Sequence, residues 1–181
     1  AMDITYRELP CVVETAGAEA PDAPTIWPEA PGNLSFLWEH GDRAAVDTAF
    51  ESAARIVALD LVNSRVIVNA IETRGALGEF DEASGRYTLH TNTQHSMDTR
   101  NQVAEILGVE QKDVRVLSPM LGGGFGMKHM VHPEQPLIAW AARKTGRPVR
   151  WMSERGEGMV SDTQARDHMT HADLALDADG K

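Results

Sequence analysis

The sequence predicts an α+β fold, α/β-like in its alternation, in which a mixed β-sheet carries packed helices. Three observations predict it. Stretches rich in β-branched residues alternate with stretches of helical periodicity. Some of the strand-like stretches are joined by hairpin chemistry rather than by crossover helices. A chain of 181 residues, 42% of them apolar, is also long enough to bury a core without disulfides or a structural metal.

The elements follow in order. Residues 1–32 read as an extended connector, because Pro10, Pro21, Pro24, Pro28 and Pro31 punctuate a stretch without periodicity. Residues 33–38 are expected to form a short strand. Asp42 is placed to cap a helix over roughly 43–54, with Val46, Ala49, Phe50 and Ala53 on one face. The β-branched content of 56–70 predicts one long strand or two short ones. Strands at 76–80 and 86–92 flank Asp81-Glu-Ala-Ser-Gly85 as a hairpin.

Ser96 is the expected cap of a helix over 97–107, which turns Val103, Ile106 and Leu107 inward and stops at Gly108. A short strand over 114–117 leads into a glycine cluster. Pro133 and Pro136 suit the first turn of a further helix with apolar positions Leu137, Ile138, Trp140 and Ala141, stopped by Lys144-Thr-Gly146 and Pro148. Strands at 149–152 and 168–176 complete the order. The second alternates and ends in turn chemistry, Asp177-Ala-Asp-Gly180, with no strand after it. With Ala1 ahead of Met2, both ends read as cuts through a longer polypeptide, and 33–181 as a domain truncated at its C-terminus.

Charge and composition exclude several functions. With 17 basic and 27 acidic residues the net charge is −10, which opposes the counterion release that drives nucleic-acid binding. No apolar run approaches the length of a membrane span. Cys11 is the single cysteine, so there is no internal disulfide or Cys-rich metal site, and its isolation fits a reducing, cytoplasmic setting.

Gly122-Gly-Gly-Phe-Gly-Met-Lys128, between a strand and a proline-started helix, is the most informative segment. A phosphate loop would place Gly before the Lys and Ser or Thr after it, where Met127 and His129 stand, and a dinucleotide fingerprint would need a third Gly in place of Met127. What remains is a backbone, free of Cβ atoms on either side of Phe125, that can approach a bulky ligand and offer N–H groups to anionic oxygens, or else a tight turn. His129 and His132 are three apart, as are His168 and His171, but neither pair shares a face with a third ligand, so no metal ligand is assigned. The acid pairs Asp81/Glu82, Glu154/Glu157 and Asp177/Asp179 fall in turns or on solvated faces. Trp38, Trp140 and Trp151 are expected in the core, and Met120, Met127 and Met130 around the glycine loop.

Taken together, Pro31-Gly-Asn-Leu, Glu72-Thr-Arg-Gly-Ala76, Thr93-Gln94, Leu107-Gly-Val, Val114-Arg-Val, the glycine loop, Thr145-Gly-Arg-Pro-Val-Arg-Trp151 and Arg166-Asp-His168 resemble one family in order and spacing. The chain is similar to the molybdenum-binding large subunit of the xanthine dehydrogenase, aldehyde oxidase and carbon monoxide dehydrogenase family. The implied fold is its first molybdopterin-binding domain, entered from a preceding domain through the connector.

The resemblance implies that Gln94 brings its amide to an oxo or hydroxo ligand of molybdenum, and that Phe125 lies with its backbone beside the metal centre, between Gly124 and Gly126, which permit that approach. His129 stands where the purine-oxidising members carry a substrate-binding Glu, so a substrate other than a purine is implied. The family oxidises small molecules by attack of a metal hydroxide on an electron-poor carbon, a carboxylate taking the proton and a sulfido ligand the hydride. Its cofactor is molybdopterin, here expected in the cytosine dinucleotide form. Electrons leave through iron–sulfur clusters and FAD on partner subunits or domains. The implied substrate of the full-length protein is a small aldehyde, an N-heterocycle or carbon monoxide. The residues that complete that chemistry match no part of this chain, so no catalytic residue is assigned and the chain alone is expected to be inactive. A noncatalytic interaction or assembly domain of the same fold is the alternative, and a nucleotide-binding domain a weaker third.

Overall fold

The computed structural model describes residues 3–181. They fall into two compact units, one made of residues up to Arg65 with Arg166–Lys181, the other of Val66–Ala165. The proposed connector over 1–32, whose first two residues lie outside the described residues, falls from residue 3 onward within the first unit, and the proposed domain over 33–181 takes in parts of both.

In the first unit, helix α1 (Arg43–Ser52) begins where expected, because Asp42 Oδ1 accepts from the Ala45 N–H at 3.0 Å. It ends two residues earlier than the periodicity predicts, at Ser52. Strand β1 (Arg55–Asn63) pairs antiparallel with β6 (His168–Leu176), placing Asp60 opposite His171. The expected strand over 33–38 does not form. Pro31–Asn33 is a 3-10 turn, and Asn33, at φ 58°, ties the loop together by donating to the carbonyls of Ala18 (2.7 Å) and Pro24 (3.1 Å) and accepting from the Ile26 N–H. Trp38 is 73% exposed, not core.

The second unit holds a four-stranded sheet in the order β4-β3-β2-β5. Strands β2 (Gly75–Asp81) and β3 (Arg86–Thr91) form the expected hairpin, closed by the Gly85 N–H on the Asp81 carbonyl and by Asp81 carboxylate bonds to the Ala83 N–H and the Ser84 hydroxyl. Helix α2 (Ser96–Leu107) carries the chain from β3 to the parallel strand β4 (Val114–Leu117) and stops at Gly108, whose φ is 66°. Helix α3 (Glu134–Thr145) leads to β5 (Val149–Met152), antiparallel to β2. The sheet is therefore mixed, as the composition of its connections predicts.

The core packs Ala76, Tyr87 and Leu89 of the hairpin against Val103 and Ala104 of α2, Val114 of β4, and Ile138 and Ala139 of α3. Gly78 brings α3 down onto β2, since a Cβ there would stand 2.8 Å from the Ile138 carbonyl oxygen. The inward faces of both helices differ from the expected ones. Ile106, Leu137 and Trp140 are exposed, while Thr99 and Gln135 are buried. Each buried polar group is satisfied, Thr99 by the Thr93 hydroxyl and Gln135 Nε2 by the Thr91 hydroxyl, so burial costs them little. Helix α4 (Arg155–Ser161), which Gly156 and Gly158 conceal in the sequence, starts from a capping box between Glu154 and Glu157. That role accounts for one of the acid pairs.

Candidate cofactor site

The glycine loop is held by a clamp at its base. The Glu72 carboxylate accepts from the Gly122 N–H at 2.9 Å, while the Glu72 N–H donates to the Gly122 carbonyl at 3.1 Å. Beyond the loop, Lys128 turns inward to 1% exposure, and its ammonium donates to the Glu72 carbonyl (2.7 Å) and carboxylate (3.0 Å). One acidic residue thereby fixes both ends of the loop. Burial pushes the Glu72 carboxyl up, but the Gly122 N–H, the Lys128 ammonium and the Asn92 side chain outweigh it, and the net shift is below the usual carboxylate range.

Gln94, at the end of the segment after β3, is stitched to the same loop. Its N–H donates to the Lys128 carbonyl at 3.0 Å, and its side-chain Oε1 accepts from the Gly126 N–H at 3.0 Å. A backbone N–H can only donate, so the amide oxygen must face Gly126 and Nε2 must point away. Nε2 makes no hydrogen bond among the described residues, and Gln94 is exposed.

Within the loop, Gly123, Phe125 and Gly126 have φ of 100°, 50° and 88°. Phe125 is a bulky residue in the left-handed region, a cost that persists only where its surroundings impose it. Its ring folds back over Gly123, 2.9 Å from where a Cβ would be, and it is 78% exposed. Gly124 and Gly126 serve differently: a Cβ at Gly124 would sit 2.5 Å from Gln94 Cδ, whereas Gly126 has open space and is required by its φ. The N–H groups of Gly123, Gly124 and Phe125 make no hydrogen bond among the described residues. A strained, glycine-lined loop with free N–H donors beside a locked amide donor fits a large anionic cofactor.

His129 joins this face. Its N–H donates to the Gly126 carbonyl at 3.2 Å, and its exposed ring stacks on His95 with centroids 3.8 Å apart. His132 is separate from it, buried with Nε2 3.0 Å from the Met127 carbonyl, a satisfied core histidine. Met127 packs inside the loop, while Met120 and Met130 are exposed. Sequence reasoning assigned no role to Glu72, Lys128 or Arg74. Arg74, 5% exposed, donates to Asp162 (2.8 Å), Ser161 (2.6 Å) and Glu134, tying β2 to α3 and α4. The available signal for all three was their place in segments that carry the resemblance.

The molybdopterin cofactor-binding domain family matches residues 26–181. The chain belongs to that family. As a molybdopterin cofactor-binding domain it is 33% identical over 193 residues to the carbon monoxide dehydrogenase large chain of Hydrogenophaga pseudoflava, covering 100% of this chain and 24% of that one. It is 36% identical over 181 residues to subunit gamma of the 6-hydroxypseudooxynicotine dehydrogenase complex of Paenarthrobacter nicotinovorans, covering 99% and 22%. Among solved structures it superposes on carbon monoxide dehydrogenase from Oligotropha carboxidovorans with a TM-score of 0.88 and 27% identity, over 98% of this chain and 24% of that one. This molybdopterin cofactor-binding domain thus spans about a quarter of the length of the relatives it matches.

Proposed function

We propose that the protein carrying this domain is a molybdenum-dependent oxidoreductase, a molybdenum hydroxylase whose substrate is a small aldehyde, an N-heterocycle or carbon monoxide. The observation that carries the reading is the locked carboxamide of Gln94, with Oε1 spent on the Gly126 N–H and Nε2 free beside the loop. The cofactor, a molybdopterin in its cytosine dinucleotide form, supplies the two-electron chemistry when bound.

The chain's own residues bind and orient. Gln94 holds a neutral donor toward the metal centre. The N–H groups of Gly123, Gly124 and Phe125 face its anionic groups, and the Glu72–Lys128 clamp keeps them preorganised, so no reorganisation is needed when charge develops. His129, on the same face of the loop, contacts the substrate and offers an imidazole where a carboxylate would suit a purine. The same reading includes iron–sulfur and FAD partner subunits or domains as electron acceptors. It also includes a cytoplasmic location, in keeping with the single free thiol of Cys11. The isolated chain should oxidise nothing, and dye-linked turnover of an aldehyde, hypoxanthine or carbon monoxide by it would overturn that part.

The test is Gln94→Ala in the full-length enzyme. Molybdenum loading should stay near wild type while the reductive half-reaction slows on the order of tenfold to a hundredfold, as for other outer-sphere partners of a metal. Unchanged single-turnover reduction in the loaded variant would refute the role.

A further inference from the structure

We propose that Thr93 is a positioning residue, whose buried hydroxyl sets the backbone of Gln94 and, through it, the direction of the carboxamide; the inference rests on the proposed role of that amide. Thr93 and Thr99 are 4% and 0% exposed, in the interior of the second unit. The Thr93 hydroxyl faces the Lys128 carbonyl at 3.2 Å, the His95 N–H at 3.2 Å and the Thr99 hydroxyl at 2.9 Å. Proton accounting fixes every direction. The carbonyl can only accept and the N–H can only donate, and the Thr99 hydroxyl has no other partner among the described residues. The one proton of Thr93 therefore goes to the Lys128 carbonyl, while Thr99 and the His95 N–H donate to its oxygen.

These bonds enclose Gln94. The one from the His95 N–H to the Thr93 hydroxyl spans it from neighbour to neighbour, as in a threonine turn, and restricts its φ and ψ. The Lys128 carbonyl takes both the Thr93 hydroxyl and the Gln94 N–H (3.0 Å), and two residues earlier the Gly126 N–H meets Gln94 Oε1 at 3.0 Å. Thr93 is itself anchored from the other end of the loop. Its N–H donates to Ser118 Oγ at 3.2 Å, and the Ser118 hydroxyl returns a bond to its carbonyl at 2.9 Å. Ser118 directly follows β4, on the chain that leads into the glycines. Every polar group of Thr93 is thus spent on tying Gln94 to both ends of the loop. A buried hydroxyl has no water to take over such partners, so removing it loosens the whole set.

Crystal structures and single-turnover kinetics of the full-length enzyme carrying Thr93→Val, Thr93→Ser or Thr99→Val test this. Valine keeps the shape of Thr93 without its bonds, so the distance from Gln94 Oε1 to the Gly126 nitrogen should open beyond about 3.5 Å. Reduction by whichever of carbon monoxide, an aldehyde and an N-heterocycle reduces the wild type should slow on the order of tenfold, at unchanged molybdenum content. Serine restores the hydroxyl and should restore both. Thr99→Val breaks the same hydroxyl pair and should lower the melting temperature comparably, but it leaves Thr93 bonded to Lys128, so distance and rate should stay at wild type. An intact Gln94–Gly126 bond in Thr93→Val, no rescue by serine, or an equal change in Thr99→Val would each overturn the proposal. If the valine variant does not fold, Ser118→Ala, which releases the Thr93 backbone, should displace Gln94 in the same way, and an undisplaced amide there would refute it. If Gln94→Ala does not slow reduction, the proposed role of the amide fails, and the Gln94–Gly126 distance still decides that of Thr93.

Discussion

The two units use the same strand chemistry to different effect. In β1, Ile56, Leu59, Leu61 and Val62 are as apolar as anything in β2 or β3, yet all nine residues of the strand are exposed. In β3, Tyr87, Leu89 and Thr91 alternate with outward positions and are buried, because α2 and α3 cover that face. Every buried residue described lies between Ala70 and Gly158. Alternation creates an apolar face, and only a covering element turns it into a core. The loop, the clamp and Gln94 all belong to the covered unit, so the candidate site stands on the unit that holds the core.

The contrast predicts where substitutions will hurt. The largest effect is expected from Arg74→Ala, which strands Asp162 and Glu134 with side chains 5% and 16% exposed and should cost about 3–5 kcal/mol. Arg65→Ala in the other unit removes an equally short pair with Asp167, but Arg65 is 49% exposed, and the denaturation midpoint should barely move. Equal losses would erase the distinction between the units. Next, Leu89→Ala at 0% exposure should cost about 2–5 kcal/mol, against less than about 1 for Leu61→Ala at 50%. Hydrogen exchange sharpens the same point without mutation: amides of β2 and β3 should exchange through global unfolding and those of β1 and β6 much faster.

Smaller effects separate the units by pH. Hydrogen bonding to Asp60, with the charge of Asp173, raises the His171 pKa. Its contribution to the β1–β6 pair is therefore full below the ordinary histidine range and lost as pH rises through the raised value. Glu72 is lowered, so its clamp contributes above the usual carboxylate range and is lost as pH falls through the lowered value. His171→Asn should flatten only the neutral-to-alkaline limb of a stability profile, and Glu72→Gln only the acidic limb. A shift of both limbs by either variant would contradict the assignment.

Much of this was legible in the sequence, for local reasons. Asp81 to Gly85 spells a hairpin turn, Asp42 a cap and Gly108 a left-handed stop, and each acts within a few residues of itself. The missed features are long-range. Thr99 and Gln135 read as outward positions until the Thr93 and Thr91 hydroxyls are brought to them, and Leu137 and Trp140 read as inward ones. Lys128 looks like a surface lysine until Glu72, far off in the chain, comes within 3.0 Å. At the site, the resemblance pointed to Gln94, Gly124, Phe125, Gly126 and His129, and the structure gathers all five at one loop. The pairing of His129 with His95 had no sequence signal, because it depends on how two loops cross.

The central claim is that the glycine loop is shaped for a cofactor and not only for a turn. The most direct measurement is molybdenum per folded molecule, beside the apo melting temperature, in full-length enzyme carrying Gly124→Ala or, for comparison, Gly180→Ala. Gly180, in the first unit, has φ 78° and open space, so alanine there should cost about 1 kcal/mol and leave metal content unchanged. Alanine at Gly124 meets only the flexible end of Gln94, so apo stability should fall modestly, but the methyl that crowds the loop backbone, and not the loss of the amide, should sharply lower molybdenum occupancy. Wild-type occupancy in Gly124→Ala would reduce the loop to a turn and contradict the account.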